Sequence, residues 1–139
     1  MFLDTTTEQR ITHWRDFRES LTQSTTPLQD IVDLWKTAPV TERNLDPWSS
    51  QRWPTPWELL EENRFCPVAI PLMMGWTAKL STRLSTSDVL IKLYIDHTEQ
   101  RYYNVCMVDN NLLNYKQEVV KVEDLQGTMH CQYSTDLAL

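Results

Sequence analysis

Hydrophobic positions recur at helical spacing through the first half of the chain and change to a strand-like pattern after residue 88. Ile11, Trp14, Phe17 and Leu21 fall on one stripe of a helix, and Thr5 with Glu8 offers a capping box at its start. A polar run over residues 22–26 ends that helix. Thr26-Pro27 then supplies an N-cap and a proline at the first helical position. Leu28, Ile31, Val32 and Trp35 give the second helix its apolar face, and Pro39 stops it. Thr55-Pro56-Trp57-Glu58 repeats the start signal for a short third helix, with Asn63 as its C-cap. A fourth helix opens at Cys66-Pro67 and carries Val68, Ile70, Leu72, Met73, Trp76, Leu80 and Leu84 on more than one face, so it is expected to be central and buried. Pro71 is either its true first residue or a kink, and Gly75 permits close approach of a neighbouring element.

Residues 89–95 and 101–108 read as two strands, and the turn Asp109-Asn110-Asn111 leads into further strands at 112–115 and 119–122. Short connections make consecutive strands antiparallel. Residues 129–133 form a candidate last edge strand. The predicted fold class is therefore α+β: N-terminal helices and a central buried helix packed on a C-terminal antiparallel β-meander. One domain over residues 1–139 is expected, divided into a helical hairpin (1–39), a strap (40–56) and a helix-plus-sheet core (57–139).

The strap holds Asp46-Pro47-Trp48 and Arg52-Trp53-Pro54-Thr55-Pro56-Trp57, a stiff extended stretch that needs a surface to lie on. Tryptophan is over-represented, with six in 139 residues against two glycines. Such an excess serves either a core or a docking surface. Trp48, Trp53, Trp57, Trp14 and Phe2 are the candidate interface residues. The formal net charge of −6 comes without a Lys/Arg cluster, which argues against nucleic acid as a partner. No apolar run has the length of a membrane span, and the start lacks the basic-then-apolar pattern of a signal peptide. Cys66, Cys106 and Cys131 fit neither a disulfide framework nor a CxxC metal site, so no metal and no cofactor is expected. Reduced thiols in a cytoplasm are the simplest reading.

A cysteine at the start of a buried helix is a candidate nucleophile, because the free N–H groups there favour thiolate. It needs a base in reach and a group to orient that base. Residues 62–122 carry this order: Cys66 at the helix start, then Tyr103-Asn104-Val105-Cys106-Met107-Val108, the Asp109-Asn110-Asn111 turn, and Leu112-Leu113-Asn114. This resembles the transglutaminase-like (papain-like) family, which places its histidine on the following strand pair and its aspartate one strand later. The resemblance implies Cys66 as nucleophile, with the histidine position on Tyr103 and the aspartate position on Asn114. Tyrosine, with a pKa of about 10, is no base near neutral pH. His97 and His130 are the alternative bases. His13, on the polar side of the first helix, and the acidic faces of Glu58, Glu61 and Glu62 and of Asp30 and Asp33 read as solvated surface.

The run from Asp46-Pro47-Trp48 through Trp53-Pro54-Thr55-Pro56-Trp57-Glu58-Leu59 to Cys66 resembles a segment of small proteins of T4-like tailed bacteriophages, especially those of marine cyanobacteria. It implies a phage origin, not a role; the expected partners are other phage proteins in a multi-subunit assembly, and the expected location is the host cytoplasm and then the virion. Three functions follow. The first is a non-catalytic structural or assembly protein of the virion neck, tail or baseplate. The second is a cysteine hydrolase or acyltransferase using Cys66 with His97 or His130 and Asn114. The third is a phage protein that binds a host enzyme.

Overall fold

In the computed structural model, which describes residues 1–42, 45–125 and 127–138, helices pack around a central helix that lies on an antiparallel sheet. The helices are α1 (Thr7–Ser20), α2 (Pro27–Trp35), α3 (Pro56–Glu62) and α4 (Ala69–Lys79). The strands are β1 (Val89–Asp96), β2 (Arg101–Val108), β3 (Asn111–Leu113), β4 (Val120–Lys121) and β5 (Met129–Asp136), in the sheet order β4-β3-β2-β1-β5. The first four strands form the expected meander. The last crosses over and pairs antiparallel with β1, becoming the opposite edge.

Local chemistry explains the element ends. The capping box of α1 uses Thr6 and Gln9, not Thr5 and Glu8. Thr5 is engaged elsewhere: its hydroxyl donates to Met1 O at 2.9 Å, and its carbonyl accepts from the Arg10 guanidinium. The α3 box forms on Thr55 and Glu58, and Asn63 closes that helix at φ 55°. In α4, Pro71 sits in the first turn, where a proline is tolerated. Ile70 N donates to Cys66 O at 3.2 Å, so helical hydrogen bonding begins at Cys66 although regular helix starts at Ala69. The helix ends at Lys79 rather than Leu84, because Ser81 Oγ donates to Ala78 O and accepts from Leu84 N, folding the chain into a turn.

The core lies between α4 and the sheet. Val89, Ile91, Cys106, Val108, Leu113 and Leu137 face the helices within one buried cluster. Tyr94, Val105 and Leu112, with Tyr103 and Tyr115 beside them, form a separate cluster on the far face. Gly75 marks the closest approach: a Cβ there would sit 2.7 Å from Leu137 Cδ1.

Two candidate interface residues belong to this core. Trp14 is fully buried, and its indole N–H donates to Thr77 Oγ1 at 2.9 Å. Phe2 packs against the rings of Trp35 and Phe65, with centroids 5.3 and 5.6 Å away. Burial of large aromatic area outweighs any docking role for them. The described parts of the strap are tied down at several points. Phe65 N donates to Pro39 O, and Thr41 N donates to Phe65 O. The Trp53 indole donates to Asp46 O at 2.8 Å, and the Trp48 ring stacks 5.2 Å from Tyr133 of β5. Strap positions 43 and 44 lie outside the described residues.

Candidate functional site

Cys66 sits where the strap crosses the start of α4. It is 3% exposed, and its sulfur accepts the backbone N–H of Leu45 at 3.2 Å. A recess of about 200 Å³ adjoins it, lined by Thr41, Leu45 and Pro54 of the strap and by Leu59 and Glu62 of α3. The hydrogen-bond partner of the sulfur is therefore strap backbone, not an imidazole.

Strand geometry corrects the expected base position. Side chains alternate across a strand, and Cys106 and Val108 face the helices. Asn104 shares their face and pairs with Leu93, whereas Tyr103 points to the far side. There Tyr103 packs on Tyr115, with ring centroids 5.0 Å apart, and donates to Glu99 Oε2 at 3.2 Å. Desolvation, with the bond to Glu99, raises its pKa and takes the phenol further from any role as a base. The helix-facing residue at this point of β2 is thus Asn104. The alternation with Cys106 carried that signal, and a one-residue offset hid it. Asn114, in the left-handed region at φ 72°, donates from Nδ2 to Asn104 O at 2.9 Å. Its amide orients a strand rather than an imidazole.

His97 and His130 meet each other instead of Cys66. Their ring centroids are 4.8 Å apart and both residues are exposed. His97 follows the last residue of β1, and His130 is the second residue of β5. His13 lies exposed on α1. Among the described residues, no imidazole hydrogen-bonds to the Cys66 sulfur. The three cysteines are free. Cys106 is fully buried, and desolvation pushes its thiol pKa far above the usual range. Cys131 is exposed, and its thiol donates to Tyr133 O at 3.4 Å.

Of the candidate interface residues, Trp48 is 52% and Trp57 44% exposed, while Trp53 is half-buried against the core. Trp57 covers Trp14 edge-on at 5.2 Å, and the Arg18 guanidinium stacks 4.3 Å from the Trp14 ring centroid. A groove of about 480 Å³ runs between the strap, Leu72 and Trp76 of α4, and the end of β5. Among the described residues no three His, Cys, Asp or Glu side chains converge to hold a metal, and no helix is long and apolar enough to cross a membrane.

No family model matches the chain, and no curated protein matches it. Among solved structures it is similar to Legionella pneumophila LapG, with a TM-score of 0.67 and 14% identity, over 93% of this chain and 75% of that one. At that identity the likeness carries the architecture alone: helices on an antiparallel sheet, in a transglutaminase-like α+β fold.

Proposed function

We propose that the chain is a non-catalytic protein on a transglutaminase-like scaffold that works by contact with other proteins. One observation carries this reading: the Cys66 sulfur is buried and capped by the Leu45 N–H of the strap. Among the described residues no imidazole hydrogen-bonds to this sulfur, and nucleophilic catalysis by a thiol needs a proton acceptor in reach. The exposed rings of Trp48 and Trp57 are the contacts offered, since large aromatic side chains dominate interface energetics. We place this role in a tailed-phage particle, at the neck, tail or baseplate, with other phage proteins as partners. That setting rests on the Trp-Pro-Thr-Pro-Trp string.

A second reading, a cysteine hydrolase or acyltransferase, is favoured by the same sulfur contact. The sulfur accepts an N–H, and helical hydrogen bonding starts at Cys66 itself, the helix-start setting in which nucleophilic cysteines are found. Alkylation by iodoacetamide near neutral pH, followed residue by residue by mass spectrometry, separates the two. The scaffold reading expects Cys131 to be modified first and Cys66 to lag far behind it. Preferential labelling of Cys66 would overturn the scaffold reading and favour the enzyme. Proteomics of purified particles tests the setting.

A further inference from the structure

The geometry points to a two-histidine site for a borderline divalent transition-metal ion, such as Zn(II) or Ni(II), formed by His97 and His130 where β5 meets the end of β1. The two imidazoles come from positions far apart in the chain, and the backbone brings them together. Ile95 pairs with His130, and His97 N donates to Thr128 O at 3.1 Å, so the residue after β1 and the start of β5 are tied. Gln100 Nε2 donates to His97 O at 2.8 Å and fixes the turn that carries the ring.

The spacing suits chelation. Metal–nitrogen bonds of ~2.0–2.1 Å place the centroids of two imidazoles bound side by side to one ion roughly 4.5–5.2 Å apart. The centroids here are 4.8 Å apart, with the planes inclined at 61°. Both rings are exposed, so a solvated ion can reach them and keep water in its remaining positions. Imidazole selects Zn, Ni or Cu over Mg or Ca, which prefer oxygen donors. Two neighbouring carboxylate oxygens are already hydrogen-bonded. Asp96 Oδ1 accepts the N–H groups of Thr98 and Glu99, and Glu99 accepts from Tyr103. With two protein ligands the ion is held reversibly. Its effect is to staple the edge strand β5 to the β1–β2 turn, a site separate from Cys66.

Isothermal titration of the full chain with Ni(II) and with Zn(II) tests this, alongside thermal melts in the same salts. Saturable binding of one ion per chain is expected, with a higher melting temperature in the presence of metal. His97→Ala and His130→Ala each weaken binding at least tenfold and abolish the thermal shift. His13→Ala and Cys131→Ser leave both unchanged. Circular dichroism of the metal-free variants checks that they are folded. The inference is overturned if no saturable binding occurs, if binding survives loss of either histidine, or if Cys131→Ser removes it.

Discussion

Thr77 offers a demanding test of the fold, because one hydroxyl serves two indoles. Its Oγ1 accepts the N–H of Trp14 and of Trp35, each at 2.9 Å, and donates to Met73 O at 2.6 Å. All three side chains are fully buried. Replacing Thr77 by valine keeps the shape and opens no cavity, yet leaves two indole N–H groups without an acceptor. Each unsatisfied buried donor costs about 1–3 kcal/mol. Local relaxation recovers part of that, so Thr77→Val is expected to lower stability by about 3 kcal/mol. For a chain of this size that is a fall in melting temperature of roughly 10 °C. Thr77→Ser keeps the acceptor and loses one methyl, at about 1 kcal/mol. Urea denaturation of both variants measures the difference. In a background of Trp14→Phe and Trp35→Phe the valine substitution becomes nearly neutral, since the donors it orphans are gone. A Thr77→Val protein no less stable than Thr77→Ser would refute the shared acceptor and the helix arrangement built around it.

Gly75→Ala is expected to destabilise by about 1 kcal/mol in the same assay. The new methyl would meet Leu137 Cδ1 at 2.7 Å, Ile91 Cδ1 at 3.1 Å and Val89 Cγ1 at 3.2 Å, and that crowding outweighs alanine's helix propensity. Stabilisation would mean that α4 stands further from the sheet. Trp48→Ala should leave the melting temperature within about 2 °C of wild type, because about half of the residue is exposed and its ring contact is with Tyr133 at the sheet edge, while reducing co-sedimentation with the proposed particle. Trp53→Ala should lower the melting temperature, since its indole bond to Asp46 and its packing on the core are lost. If Trp48→Ala melts as low as Trp53→Ala and binds unchanged, the strap is core throughout.

Locally encoded features were legible in the sequence. The apolar runs of β1 and β2, the Asp109-Asn110 turn and the α3 cap all rest on neighbours within a few residues. What local pattern cannot supply is the partner across the fold. The placement of β5 beside β1 depends on pairing Leu90 with Asp136, forty-six positions apart in numbering, and nothing near either residue announces it. The fate of the tryptophans is decided the same way. Trp14 looked as suited to a docking face as Trp48 until Thr77, 63 residues away, became its acceptor. At the site, Cys66 at a helix start was readable from Cys-Pro and the apolar run. The Leu45 donor was not, because a backbone N–H carries no mark in sequence.

The strap also sets a magnitude for the alkylation experiment. Attack on iodoacetamide requires the Cys66 sulfur to be uncovered, so the strap must lift locally. Lifting breaks the hydrogen bonds of Phe65 N to Pro39 O, Thr41 N to Phe65 O and Leu45 N to the sulfur. At about 1 kcal/mol each, these three give ~3 kcal/mol before the packing of Trp53 is counted. Each 1.4 kcal/mol is about tenfold in population, so the open form is no more than roughly 1% of the molecules. If opening and closing are fast, the rate at Cys66 is the intrinsic thiol rate scaled by that fraction. Cys131 is exposed and bears no such factor. The expected ratio of their rates is therefore about a hundredfold or more in favour of Cys131, closing towards unity as urea unfolds the chain. Near-equal rates in the folded protein would mean that the strap does not hold the thiol closed, and the case for a silent cysteine would fall with it.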